Sequence, residues 1–383
     1  MWSQISGKCL FFVSALMPRN RKKLVFGSYK NLFTDNSKYL FLEYSKRPAI
    51  KAIWITGDAN LVASLRSQGL AAHKRWSLTG CWHALTAGVY CYSTYIGDIN
   101  QWLGKGALRV NLWHGTPIKE IEFDISSGPL CDLYQQPAAR WQSWRFHQQH
   151  LRPDLMLAPS EQVAACFLTA FRLQPEQVLL SGNPRTDFYR RESQQSLPSL
   201  PTSCEGRRLI MYAPSWRDKQ PGNPYITALK LDQLSNWLAA TDTTLLIRLH
   251  PNERHLASDF TDYPHIIDIS QREDVYDLLP QLALLISDYS SLYIDALLFD
   301  VPLVFYRFDQ AFYQQECRKT YHYADNLQDA GPVVNTFDQL IIELDRGDCF
   351  KSGYYQHGRD AQKSLFWAAP LPYSFDVLEQ HLA

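Results

Sequence analysis

Short apolar runs that end in polar turns recur along most of this chain, with amphipathic stretches between them. Leu24–Phe26, Ala52–Thr56, Val89–Ser93, Leu108–Trp113, Leu155–Ala158 and Val178–Leu180 read as strands, and Ala59–Ser67 and Glu161–Phe171 as helices. After Glu192–Gly206, rich in Ser, Pro and Gln, a second series begins with Leu209–Ala213, Leu245–Leu249, Leu282–Ile286 and Pro302–Phe305. Strands that alternate with helices pair in parallel, and the crossover helices cover both faces of the sheet. The rhythm predicts an α/β fold. At 383 residues the chain has the length of two domains with a small appendage.

Lys plus Arg and Asp plus Glu balance at 38 each, so the electrostatic footprint of a general nucleic-acid binder is missing and any anionic ligand must be met locally. The eight cysteines stand singly, without a Cys-x-x-Cys pair or zinc-like spacing, which argues for a reducing compartment and no structural metal. No apolar run reaches the about 20 residues that a spanning helix needs. Trp2, Ile5, Cys9, Phe12, Val13 and Leu16 do fall on one helical stripe, and Arg19, Arg21, Lys22 and Lys23 follow it. A signal peptide has the reverse order, so residues 1–23 read as an interfacial helix with a basic cuff on an anionic membrane surface, or as an ordinary packed helix.

In open α/β sheets ligands bind beyond the carboxyl ends of the strands, and polar groups gather there repeatedly in this chain. The run Leu108–Trp113 leads into His114, and Gly115, Thr116 and Pro117 then break it and open a predicted helix. An imidazole at that edge suits proton abstraction, although a lone histidine in a turn is often structural. Asp35, Asn36 and Lys38 follow the first strand and either cap a helix or bind a hydroxyl-rich acceptor. Thr116 and Lys119 join them as acceptor-side candidates. Residues Glu120–Gln149, with Trp141, Trp144 and His147 three apart, read as a flap or helix beside the ligand edge.

The second series ends its strands in Ser215-Trp216-Arg217, His250-Pro251-Asn252, Ser287-Asp288-Tyr289-Ser290-Ser291 and Tyr306-Arg307. Ser290 and Ser291 open the helix Leu292–Phe299, where free N–H groups favour a phosphate; alternatively Ser290 only caps the helix. Asp288 would repel that anion, so it is read as orienting a histidine or a ligand hydroxyl. Arg248 and His250 flank Leu249 on a predicted strand, share one face and suit a diphosphate. Arg318 could close over the same anion. No Walker A or Gly-x-Gly-x-x-Gly pattern supports ATP or NAD chemistry.

The ordered set Gly27-Ser28 with Asp35-Asn36-Ser37-Lys38, Leu112-Trp113-His114-Gly115-Thr116-Pro117-Ile118-Lys119, Gly182-Asn183-Pro184-Arg185-Thr186-Asp187, Tyr212-Ala213-Pro214-Ser215-Trp216-Arg217, Arg248-Leu249-His250-Pro251 and Ser287-Asp288-Tyr289-Ser290-Ser291 resembles the CDP-glycerol glycerophosphotransferase family, which includes teichoic-acid primases and polymerases. The resemblance runs from about Leu24 to Leu340 and implies a GT-B fold, two Rossmann-like domains facing across a cleft. It implies an acceptor domain over 24–190, a linker over 191–206, a donor-binding domain over 207–350 and a C-terminal helical segment over 351–383 that packs back on the first domain. It further implies His114 as general base, and His250, Ser290 and Ser291 as contacts to the donor diphosphate. Asp288 matches the acidic position of the same motif. Arg318 falls at a donor-binding arginine, but Lys319 replaces the glycine that usually follows.

The expected reaction moves glycerol phosphate from CDP-glycerol to a hydroxyl of a lipid-linked saccharide or polymer acceptor, with no cofactor and no metal, on the cytoplasmic face of the membrane. With no further domain before Leu24, the length is nearer to single-transfer primases than to large polymerases. A CDP-ribitol-dependent transferase, a nucleotide-sugar glycosyltransferase and a non-catalytic membrane-surface adaptor remain the alternatives.

Overall fold

The computed structural model describes residues 2–382 apart from 128–129, 135–139, 192–203, 218–221, 251, 261, 317–318, 327–328, 352 and 354. The chain divides into two compact units, Met1–Ser193 with Phe366–Ala383, and Gln194–Leu365. Most of the expected linker, and Arg318, lie outside the described residues.

The strands of the first unit are β1 (Asn20–Gly27), β2 (Lys51–Thr56), β3 (Ala72–Lys74), β4 (Ala87–Tyr92), β5 (Leu108–Asn111), β6 (Leu155–Ala158) and β7 (Val178–Leu180). They form one parallel sheet in the order β3-β2-β1-β4-β5-β6-β7, with Leu24 paired to both Ala52 and Val89. Its helices are α1 (Trp2–Ser14), α2 (Asp35–Ser45), α3 (Ala59–Ser67), α4 (Leu78–Thr86), α5 (Cys131–Tyr134), α6 (Arg140–Arg145), α7 (His147–His150), α8 (Glu161–Ala170) and α9 (Pro184–Arg191). Because successive strand residues point to opposite faces, Leu24 and Phe26 enter one core with Trp54, Phe41 and Tyr44, while Val25 enters a second with Ile53, Ile55 and Tyr90. Each such burial stabilises the fold by about 1.5–3 kcal/mol. Local caps start the helices: Asp58 accepts from the amides of Asn60 and Leu61 at α3, and Ser160 from Val163 at α8.

The second unit contains β8 (Arg208–Tyr212), β9 (Thr243–Ile247), β10 (Ile266–Asp268), β11 (Leu284–Ser287), β12 (Leu303–Tyr306) and β13 (Val333–Val334), parallel in the order β10-β9-β8-β11-β12-β13. Around it run α10 (Pro224–Leu229), α11 (Leu231–Ala240), α12 (Leu292–Leu297), α13 (Gln310–Glu316), α14 (Phe337–Arg346) and α15 (Gln356–Phe366). A capping box of Thr336 and Gln339 starts α14, and Gly347 at φ 70° ends it. The chain then returns to the first unit as α16 (Ser374–Leu382), which inserts Phe375 and Leu378 into the core beneath α2. Buried Asp187 locks this return by accepting from the Ser374 amide and hydroxyl.

In each sheet the strand order reverses beside the first strand of the unit, between β1 and β4 and between β8 and β11. These are the topological switch points where doubly wound sheets bind ligands. One expectation fails at the first edge. No helix opens at Thr116 and Pro117: Gly115 turns the chain at φ 154°, and the next helical turn is Glu122–Asp124. The segment around Trp144 and His147 packs on α1: the His147 ring stacks on Trp102 at 5.0 Å and meets the edge of Phe11 at 4.7 Å.

Candidate functional site

At the first unit's edge, β5 ends at Asn111 and the chain reverses through Trp113, which adopts φ 50°. A bulky residue rarely sits in this left-handed region, and the surroundings hold it there. The Asn111 side chain accepts from the Trp113 amide at 2.9 Å, and Asn36 donates to the carbonyls of Leu112 and Trp113, both at 3.0 Å. The Trp113 indole packs edge-on to Phe171 at 5.0 Å. His114 is thereby carried to the surface at the strand end.

Its ring is oriented by the backbone. The His114 Nδ1 lies 3.0 Å from the Ser93 carbonyl, which can only accept, so Nδ1 carries a proton and Nε2 is the basic atom of the neutral ring. Ser93 is fixed in turn by the Ser37 hydroxyl at 2.7 Å. The helix start Asp35-Asn36-Ser37 is therefore a brace. Asp35 pairs with Arg185, which is 2% exposed, and Asn36 accepts from the Arg185 amide. Lys38 lies over the rings of Phe33 and Tyr39. Asp35 and Asn36, expected as acceptor contacts, hold the His114 loop. Ser28 and Thr116 are buried here, and neither hydroxyl has a hydrogen-bond partner among the described residues. Lys119 follows on the same loop, half-buried.

Buried ion pairs build the second unit's edge. Asp288, at the end of β11, accepts from the Ser215 amide at 2.8 and 3.0 Å, from the Tyr289 amide and from the Arg217 guanidinium. Arg217 also grips Asp309 with two bonds of 2.9 Å. Burial alone would lower the pKa of Arg217, but the two carboxylates raise it above its ordinary value. Asp288 thus ties the loop 213–217 to the loop after β11, and among the described residues its hydrogen-bond partners do not include a histidine.

That loop presents Trp216, stacked on His250 with centroids 5.5 Å apart and planes 10° from parallel. At His250 the Asn252 amide donates to Nδ1 at 3.2 Å, so the neutral ring carries its proton on Nε2. Arg248 does not share a strand face with it. β9 stops at Ile247, and the Arg248 guanidinium donates to the carbonyls of Ile269, Ser270, Arg272 and Glu273. Burial, then neighbouring Arg254, pushes its pKa down to about 10. Ser290 accepts from the Leu292 amide at 3.4 Å at the start of α12, and Ser291 follows, half-buried.

Sequence reasoning placed Arg217 and Arg307 at strand ends without a role, and missed the pairing of Arg217 with Asp309, which spans 92 residues. The Arg307 guanidinium lies 5.3 Å from the Tyr289 ring, and its buried Nε has no partner among the described residues. Among the described residues no group of three or more His, Cys, Asp and Glu side chains is placed to hold a metal ion.

The family model for CDP-Glycerol:Poly(glycerophosphate) glycerophosphotransferase matches residues 9–368. The teichoic acid poly(glycerol phosphate) polymerase of Bacillus spizizenii is 26% identical over 362 residues, 89% of this chain and 88% of that protein. The teichoic acid glycerol-phosphate primase of the same organism is 31% identical over 227 residues, 57% of this chain and 58% of that one. A solved structure of the wall teichoic acid polymerase TagF, soaked with CDPG, matches with a TM-score of 0.77 at 23% identity, over 99% of this chain and 93% of that one. That likeness shows the GT-B-like fold.

Proposed function

The chain belongs to the CDP-Glycerol:Poly(glycerophosphate) glycerophosphotransferase family, and on that premise we propose how its two strand edges move glycerol phosphate from CDP-glycerol to an acceptor hydroxyl. CDP-glycerol is the donor. The acceptor oxygen attacks the glycerol-bearing phosphorus, the bond from that phosphorus to the bridging oxygen breaks, and CMP leaves with the electron pair. His114 Nε2 takes the proton of the attacking hydroxyl. The observation that carries this role is the Ser93 carbonyl on Nδ1, which keeps the basic nitrogen on the other side of the ring.

His250 donates from Nε2 to the diphosphate, with Ser290 and Ser291 as further donors. Arg307 supplies the fixed cation that Arg248, engaged by carbonyls, does not. Stabilising the charge of the transferring phosphoryl group is the larger part of such catalysis. Asp288 and Arg217 position Ser215 and Trp216 beside His250. The acceptor is a lipid-linked saccharide or polyol phosphate, met at the His114 edge by half-buried Lys119.

Contact with an anionic membrane, on its cytoplasmic face, belongs to the same reading. It is supported by α1, which buries Gly7, Phe11 and Ser14 and exposes Ile5, Phe12 and Val13 at 45, 60 and 56%, and by Leu16 in the turn after it, 83% exposed. Arg19 is not part of a free basic cuff, since it donates to five carbonyls of residues 14, 84, 87, 103 and 105. Arg21 and Lys22 are exposed. The test is incubation with CDP-glycerol and lipid-linked acceptors, followed by mass analysis. A phosphodiester-linked glycerol with stoichiometric CMP is expected. A glycosidic product with release of a nucleoside diphosphate, or turnover with CDP-ribitol alone, would overturn the assignment.

A further inference from the structure

A cavity of about 880 Å³ opens at the other edge of the first sheet, among the starts of β4 and β5, the end of α1 and the end of α16. From Ala87 to Tyr92 β4 spans about 17 Å at roughly 3.3 Å per residue, so this cavity is separate from the His114 edge. Its lining includes Arg19, Arg21, Lys105, Arg109 and one carboxylate, Asp154. Arg109 and Asp154 neutralise each other through bonds of 2.9 and 2.6 Å. The partners of Arg19 are uncharged carbonyls, so among the described residues of the wall the positive charge of Arg19, Arg21 and Lys105 has no counter-charge.

The cavity is also continuous with the apolar face of α1. Phe11 forms part of its wall, and the Lys105 ammonium lies 3.5 Å from the ring centroid of exposed Phe12. One helical turn before Phe12 on α1, Lys8 lies over the Trp144 ring at 5.2 Å. A cationic cavity opening beside an apolar helix face matches a ligand with an anionic head and apolar tails. We propose that it takes the phosphodiester headgroup of an anionic glycerophospholipid, while Ile5, Phe12, Val13 and Leu16 enter the acyl boundary. The proposal rests on the membrane contact argued above and gives it a defined lipid site.

The test is sedimentation of the full chain with phosphatidylglycerol or phosphatidylcholine vesicles, which needs no CDP-glycerol and so stands apart from the transferase assay. The wild type should bind the anionic vesicles only. The pair Arg21→Glu and Lys105→Glu, in the cavity, should weaken that binding about 30-fold, equivalent to about 1 kcal/mol for each basic group. Lys51→Glu with Lys74→Glu, both exposed and outside the lining, makes the same charge change and should cost less than about threefold. Equal losses in the two pairs, or none in either, would overturn the headgroup site and leave a diffuse membrane contact. Absence of the wild type from anionic vesicles would overturn the membrane contact itself. Soluble glycerophosphoglycerol should compete only well above the lipid phosphate concentration. Competition at equal phosphate would assign the cavity to a free glycerol phosphate polymer and overturn the lipid. Unchanged thermal unfolding of both double variants shows that the fold is intact.

Discussion

His114 and His250 occupy equivalent places, each just past a strand in a doubly wound sheet, yet the backbone sets their rings in opposite states. A carbonyl faces Nδ1 of His114, and an N–H faces Nδ1 of His250. One ring therefore presents a lone pair on Nε2 and the other a proton. The supports differ as well. The His114 loop is held directly by Asn36, Asn111, Ser37 and Ser93, with the Asp35–Arg185 ion pair behind Asn36, whereas the buried pairs of Arg217 with Asp288 and Asp309 hold the loop beside His250. A base needs its lone pair aimed at the proton it takes, while a diphosphate site needs donors held rigid. Residue type alone does not give a histidine its role; the nearest backbone group does.

The largest effect should come from removing the base. His114→Ala should lower the rate of transfer about 10²–10⁴-fold with little change in CDP-glycerol affinity, as single-turnover kinetics and calorimetry would show. A rate near that of wild type would remove the distinction between the two edges. Asp288→Asn should destabilise the second unit by about 3–5 kcal/mol, because it leaves the buried Arg217 partly unpaired. Denaturant unfolding would measure this, and a loss under about 1 kcal/mol would mean that the ion pair is not what fixes the loop. His250→Ala should weaken donor binding about 10–100-fold, the range for hydrogen bonds to charged groups, while leaving the fold stable. Unchanged binding would exclude it from the diphosphate site.

The smallest effect concerns α1. Burial, then the nearby charge of Lys8, pushes His147 down from 6.5 to about 4. The unfolded chain takes up this proton as the pH falls below about 6.5, and the folded chain does so only near 4, so stability should decline across that window. His147→Phe should flatten the decline of the unfolding midpoint between about pH 7 and pH 5. An identical slope in the variant would show that other groups carry it, His83 among them, which burial also pushes down to about 4.

The central strands were readable because they are buried on both faces and appear as apolar runs; Leu155–Ala158 has the expected bounds, and so does the partly buried edge strand Val178–Leu180, whose three residues are all apolar. The edge strands β3, β10 and β13 are two or three residues long and give no comparable run. The gathering of polar groups at strand ends was equally readable, but not their division into displayed and bracing groups. That division depends on pairs distant in sequence. Asn36 reaches Leu112 across 76 residues, and Asp288 reaches Arg217 across 71. Arg248 shows the limit of strand parity: alternation places it beside His250 only if the strand continues, and β9 ends one residue earlier.

The opposite states of the two rings are the centre of this account, and nitrogen-detected NMR of ¹⁵N-histidine-labelled protein near pH 8, assigned with the two alanine variants, reads them directly. It should show His114 protonated on Nδ1 with a bare Nε2, and His250 protonated on Nε2 with a bare Nδ1. Finding both rings in the same tautomer, or His114 protonated on Nε2, would contradict the assignment of base and donor.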